Sequence, residues 1–222
     1  MNDRNFQKEM DKRLENATPD TTLLLHACCA PCSSYCLTYL KGKVKIKIYY
    51  YNPNIVDGDE YRKRADELKR LVDIISEEGV ADDTKEEASK MGQVASGHKD
   101  ESIEFLEGPH EPEKFLEAVK GLEDEPEGGA RCAKCFELRL REAARKAKAE
   151  GALLLTTTLT ISPLKNATLI NEIGERVAME EGLEWLPSDF KKKEGYKRSV
   201  ELSEKYGLYR QNFCGCPFSL RN

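Results

Sequence analysis

The sequence predicts an α/β fold: a mostly parallel sheet with helices on both faces. Three observations carry this expectation. Short apolar stretches suited to buried strands alternate with longer stretches of helical period, the order of strand–helix–strand units. The chain has 222 residues, enough to bury a substantial core without disulfides or metals as staples. The first apolar stretch, Leu23-Leu24-Leu25-His26, runs directly into Ala27-Cys28-Cys29-Ala30-Pro31-Cys32. In open parallel sheets, ligands bind beyond the carboxyl ends of strands, where this turn would fall.

Each element has its own signal. Residues 5–16 read as a short polar helix at the periphery. Thr22 to His26 reads as a buried strand. Pro31 suits the first turn of a helix running to about Lys41, since its missing N–H is not needed there. Val44 to Tyr51 alternates and then turns aromatic, a strand closed by Asn52-Pro53-Asn54. In residues 59–78, Tyr61, Ala65, Leu68, Leu71, Val72 and Ile75 recur at helical spacing, ended by Gly79. Residues 81–101 are polar and aperiodic, a loop or insertion. Ile103 to Leu106 suits a strand and Glu113 to Lys120 a helix. Glu125-Pro126-Glu127-Gly128-Gly129 is a turn before a long helix from about Arg131 to Glu150. Ala152 to Leu159 is the strongest strand signal. Asn166 to Glu181 is a helix stopped by Gly182, Leu183 to Leu186 a short strand, and Tyr196 to Tyr206 a last helix. Residues 1–222 are expected to form one α/β domain, with a tail over 207–222.

The first twenty residues are charged throughout, and no apolar run approaches a membrane span. A cytoplasmic protein with no membrane partner is expected. There, grouped thiols usually mean metal or catalysis, although the charged fraction of 34% is of a kind common in thermophiles, which tolerate internal disulfides. The formal net charge of −5 gives no global attraction to nucleic acid. Two local basic sets stand out: Lys191, Lys192, Lys193, Lys197 and Arg198, and Arg139, Arg141, Arg145, Lys146 and Lys148 along one helix. Both are compatible with ordinary solvated surface.

Seven of the eight cysteines fall in three compact groups: Cys28, Cys29 and Cys32; Cys132 and Cys135; Cys214 and Cys216. Such grouping suggests a soft-metal site, iron–sulfur or zinc. Cys132 and Cys135 are three apart at a helix start, so both sulfurs share a face, and the helix terminus favours thiolate. Cys28 and Cys29 sit at a similar strand-to-helix turn. Two such turns at one sheet edge supply four thiolates to one centre. An iron–sulfur cubane and a four-cysteine zinc site both remain open, though adjacent cysteines are unusual for zinc. Cys214-Gly215-Cys216 could close a strained, redox-active disulfide, bind a second metal with Cys32 or an aspartate, or be a bystander. Cys36 reads as a small core hydrophobe, His26 as a satisfied core residue, and His98 and His110 as partnerless. No phosphate loop, Walker motif or Gly-x-Gly-x-x-Gly is present.

The motifs together resemble the epoxyqueuosine reductase QueH family. The resemblance lies in Leu25-His-Ala-Cys-Cys-Ala-Pro-Cys-Ser33, Tyr51-Asn-Pro-Asn-Ile55, the run from Glu127 to Phe136, the Thr-rich run from Thr156 to Asn166, Pro187 to Lys192, Gly195 to Ser199 and Leu208 to Cys216. It covers about residues 20–219; residues 81–101 look longer than that stretch usually is. Membership implies an adenine-nucleotide α-hydrolase-like (PP-loop-like) Rossmannoid core, with the cysteine turn in place of a phosphate loop. It implies cobalamin-independent reduction of the epoxide of epoxyqueuosine in tRNA, using a [4Fe–4S] cluster and an adjacent metal, expected to be iron.

Carried over by motif, Cys28, Cys29, Cys132 and Cys135 would hold the cluster. Cys214 and Cys216 would be a redox pair or help bind the second metal, for which the residues themselves offer Cys32 and Asp189 as further candidate ligands. Asp189 is also a candidate proton donor, with a helix cap as the alternative. Lys191, Lys192, Lys193, Arg198 and Arg210 would contact the tRNA anticodon loop, and Tyr50, Tyr51 or Tyr209 could stack on a base. The electron donor is not readable from sequence. The competing readings are a zinc-stabilised nucleic-acid-binding module and a thiol–disulfide oxidoreductase; a tRNA sulfurtransferase is disfavoured by the missing ATP loop.

Overall fold

The computed structural model describes residues 4–78 and 102–219; the polar stretch 81–101 and His98 lie outside them. The element order is α1 (Phe6–Glu15), β1 (Thr22–Ala27), α2 (Ala30–Leu40), β2 (Lys45–Tyr50), α3 (Gly58–Glu77), β3 (Ile103–Glu107), α4 (Pro112–Ala118), α5 (Ala130–Ala149), β4 (Leu154–Thr157), α6 (Ala167–Glu181), β5 (Glu184–Trp185) and α7 (Gly195–Lys205). The five strands are all parallel, in the order β3-β2-β1-β4-β5. The chain winds outward from β1 to β3 and then crosses to β4 on the other side. The winding direction therefore reverses between β1 and β4, where open α/β sheets place their ligands.

Strand alternation sorts the two faces. Leu23, Leu25 and Ala27 of β1, with Ile46, Ile48 and Tyr50 of β2, pack into one core with α2 and α3. Leu24, with Tyr49 and Tyr51 of the second strand and its exit, packs into the other with α5 and α6. The period of two along each strand builds both layers. Helix α1 is less peripheral than its polarity suggests, because Met10 and Leu14 are buried in the first core.

Strand β4 is shorter than its apolar run. Thr157 accepts a hydrogen bond from the Leu159 amide at 3.2 Å, and residues 158–161 turn into a short 3-10 helix. A threonine hydroxyl that offers the backbone a local partner competes with the sheet. The result brings Thr158 within hydrogen-bond reach of Cys28, one step beyond the His26–Thr157 register pair. No helix among the described residues is long and apolar enough to cross a membrane.

Candidate metal centre

Cys29 caps the start of α2 in extended backbone, followed by Pro31 in the first turn. This turn places Cys28, Cys29 and Cys32 with their sulfurs all within 4.8 Å of one another. The Cys28 and Cys29 sulfurs are 3.8 Å apart. Cys32, expected from sequence at a second metal, thus stands with the pair assigned to the first. Thr158 closes the turn: its hydroxyl accepts from the Cys28 amide at 3.3 Å and donates to the Cys28 sulfur at 3.5 Å.

Cys132 and Cys135 enter from the first turn and a half of α5, and the Gly128 amide donates to the Cys132 sulfur at 3.2 Å. Cys135 clusters with Cys214 and Cys216 around Phe115 and Val119. All eight cysteines are free thiols.

Two adjoining cavities collect these groups. The larger, of about 320 Å³, is lined by Cys28, Cys32 and Cys214 among others. The smaller, of about 30 Å³, is lined by Cys132, Cys135, Cys214 and Cys216. Arg139, Lys165 and Cys214 face both. Six grouped thiols thus line the two cavities, and Cys29 lies buried against Cys28.

The segment Tyr51 to Ile55 ties the parts together. Asn52 donates to the Ala27 carbonyl at 3.0 Å and accepts from Arg139. Asn54 donates to the Cys214 carbonyl at 3.1 Å. Arg64 donates to the Phe213 carbonyl at 3.4 Å. The tail is therefore pinned across the carboxyl edge of the sheet, which carries Cys214 and Cys216 to the other thiols.

The thiols are electrostatically unequal. Hydrogen bonding from Cys29 and Cys32 holds Cys28 well below the ordinary thiol range. As donor to Cys28, Cys29 is pushed up to about 12, and Cys32 is also raised. Cys214 is pulled down to about 5, first by its hydrogen bond from Cys216, against the effect of burial. Cys135 is raised to about 11 by burial, partly offset by Arg139. Burial opposes charge on Lys165, but facing Cys28, Cys32 and Cys214 outweigh it and raise its pKa. Ready thiolates, soft donors and nearby cations fit a thiophilic metal centre.

His26 is a core residue, as its place in the strand suggests. Its Nε2 donates to the Tyr51 carbonyl at 3.2 Å and Nδ1 accepts from Thr157 at 2.8 Å. Burial first, then Arg139, lowers it to about 3, so it is neutral. Cys36 is buried in the first core.

Of the remaining predicted residues, Arg210 and Arg131 each line one of the thiol cavities and the others stand outside both linings. Asp189 is 8% exposed, pairs with Lys191 at 3.0 Å, and stands outside the lining of both cavities. Lys193 pairs with Asp11 at 2.8 Å. Lys192 and Arg198 are exposed, and Arg210 is an exposed residue at the larger cavity. Tyr50 and Tyr51 are core residues, 0% and 1% exposed, and Tyr209 leans its hydroxyl on Glu60. His110 is not partnerless: it stacks on Tyr61 and donates to the Ile55 carbonyl at 2.8 Å. Arg131 lines the smaller cavity but spends one terminal nitrogen on the Leu122 and Glu123 carbonyls.

Three residues that line the larger cavity went unread as site candidates in the sequence: Arg139, Lys165 and Tyr196. Arg139 follows Cys132 and Cys135 at helical spacing, i+7 and i+4, which places it on the thiol face. Tyr196 lines the larger cavity and is 42% exposed.

A family model described as Epoxyqueuosine reductase QueH matches residues 23–222. The chain belongs to this family. A Staphylococcus epidermidis protein named epoxyqueuosine reductase QueH is 41% identical over 199 residues, 89% of this chain and 75% of its own length. One of the same name from Streptococcus pyogenes is 39% identical over 214 residues, 96% of this chain and 76% of its own. One from Thermotoga maritima is 32% identical over 200 residues, 90% of each. The protein is therefore an oxidoreductase of queuosine biosynthesis, an epoxyqueuosine reductase. Enzyme, not zinc-stabilised binding module, is the class the family supports.

Proposed function

We propose that the chain works in the cytoplasm on tRNA, and reduces the epoxide of epoxyqueuosine in the anticodon loop by means of an iron–sulfur centre held among its grouped cysteines. The observation that carries this is the convergence of thiols from three sequence-distant segments on adjoining cavities at the sheet's switch point. In the reaction the epoxide takes two electrons and two protons, loses its oxygen as water, and leaves an alkene. The bound centre would supply the electrons singly and, at an open metal position, polarise the epoxide oxygen.

In this reading Cys28, Cys29, Cys132 and Cys135 hold a [4Fe–4S] cluster, and Cys32, Cys214 and Cys216 serve an adjacent iron. Asp189 reads better as the partner that positions Lys191 than as a ligand. Around them, Thr158 orients Cys28 and neutral His26 locks the strand ends. At the mouth of the larger cavity, Tyr196 offers a face for a splayed base, with Arg198 and Arg210 near for phosphates.

One observation favours a variant of this assignment. Sulfurs bonded to one tetrahedral ion at about 2.3 Å stand roughly 3.8 Å apart, and Cys28 and Cys29 are 3.8 Å apart. Cys28, Cys29 and Cys32 would then hold the single ion. Iron and sulfide analysis of anaerobically prepared protein tests both. About four irons or more per chain with matching sulfide are expected, and zinc without sulfide would overturn the reading. Cys32→Ser decides the assignment: loss of one metal with sulfide retained places Cys32 at the single ion, and loss of sulfide places it at the cluster.

A further inference from the structure

Arg139 is 3% exposed, yet among the described residues no carboxylate lies within ion-pair distance of it. One terminal nitrogen donates to Asn52, and its Nε is buried with no hydrogen-bond partner. The guanidinium lines both thiol cavities. The other two well-buried arginines among the described residues are accounted for differently. Arg64 pairs with Glu60 at 2.6 Å; Arg131, whose Nε is likewise without a partner, lines only the smaller cavity, donates through one terminal nitrogen to two backbone carbonyls and lies over the Phe218 ring. A buried cation without a counter-charge is strongly unfavourable. It persists where an anion is expected beside it.

Lys165 repeats the pattern at the rim. It is half-buried, faces both cavities, and has no carboxylate within ion-pair distance among the described residues. Two cations are thus aimed at the thiol groups with no ion pair to a carboxylate among the described residues, although exposed Glu127 shares the lining of both cavities. A thiolate-ligated iron–sulfur centre is anionic and becomes more so on reduction. Nearby positive charge and N–H donors favour the reduced form and raise the potential.

We propose that Arg139, assisted by Lys165, is the built-in counter-charge of the metal centre and sets its reduction potential. This rests on the iron–sulfur reading above. Arg139 acts through the centre as a positioning residue: its face carries the thiols, and its charge sits between the two groups they form.

The test is a redox titration, followed by electron paramagnetic resonance, of reconstituted full-length wild-type protein, Arg139→Gln, Arg139→Lys and Lys165→Met. Iron and sulfide are measured on each. Both neutral variants should keep their iron and show a more negative midpoint potential. Arg139→Lys should return most of the wild-type value. If Arg139→Gln does not fold, Lys165→Met, at the rim, decides alone. Normal clusters with unmoved potentials in the neutral variants would overturn this inference only. A wild-type protein that takes up zinc and no sulfide would overturn the iron–sulfur reading and this inference with it.

Discussion

Gly215, between the tail cysteines, shows how narrowly single residues constrain the site. Its φ is +96°, and a Cβ there would stand 2.5 Å from Ile55 Cγ1. Only glycine accepts both the left-handed backbone and the contact. Gly215→Ala should destabilise the fold by about 1–3 kcal/mol and lower metal content, both read by thermal unfolding and iron analysis; unchanged iron would make the tail pair a bystander. Single residues also account for what the sequence hid. Arg139 reads as one of five basic residues on a long helix, and basic helical residues are usually solvated. Its spacing from the two cysteines was the available signal. The aromatic signal misled in the opposite direction: Tyr50 and Tyr51 are core, whereas exposed Tyr196 stands at the cavity. Residue type does not reveal which way a side chain faces when strand and loop are packed on both sides.

At the scale of elements, α5 must hold its register against the sheet if Cys132, Cys135 and Arg139 are to face the cavities. Its far end is anchored by Glu150, which accepts from Lys47 of β2 and Lys146 of its own last turn, both at 2.6 Å. Those bonds pull the Glu150 carboxyl down from 4.5 to about 2. Because the folded pKa is the lower one, the stabilisation is fully present above about pH 4.5 and fades as the pH falls toward 2. Glu150→Gln should lower stability at pH 7 by under about 1 kcal/mol, since the group is partly exposed. The gap to wild type should close on acidification. A gap that persists unchanged at pH 2 would exclude this origin. Element order and most boundaries were legible, because apolar period and the caps agree: Asn166 accepts from the Leu169 amide at 3.2 Å, and Gly182 closes α6 in left-handed backbone. The end of β4 was not, because Ala152 to Leu159 reads as one apolar run while the Thr157 hydroxyl ends the strand early.

For the whole molecule, the proposed action on tRNA requires a net charge of −5 to coexist with a polyanionic substrate. Local arrangement would meet this: Lys192, Arg198 and Arg210 are exposed, Arg210 at the larger cavity, while Lys191 and Lys193 are paired with Asp189 and Asp11. Reversing Lys192 and Arg198 together should weaken anticodon stem–loop binding and reduce the salt slope by about one for each phosphate no longer neutralised. Reversing Lys191 and Lys193 should do less. Tyr196→Ala should weaken binding by about 1–3 kcal/mol with an unchanged salt slope. Equal effects from both charge reversals, measured by titration at several salt concentrations, would show that this face does not read the RNA.

Periodicity and contiguous motifs were enough for the α/β class, the strand and helix order, the thiol-rich centre and the family, because each rests on residues that are neighbours along the chain. Folding in three dimensions settled the rest: which thiols stand together, that Cys32 joins Cys28 and Cys29, that Asp189 is taken by Lys191, and that Arg139 and Lys165 face the cavities. These placements depend on where the winding of the sheet reverses and on how the tail crosses its edge. Both are set by packing between segments more than a hundred residues apart, such as β1 against β4 and Asn54 against Cys214, whose mutual position leaves no local pattern to read.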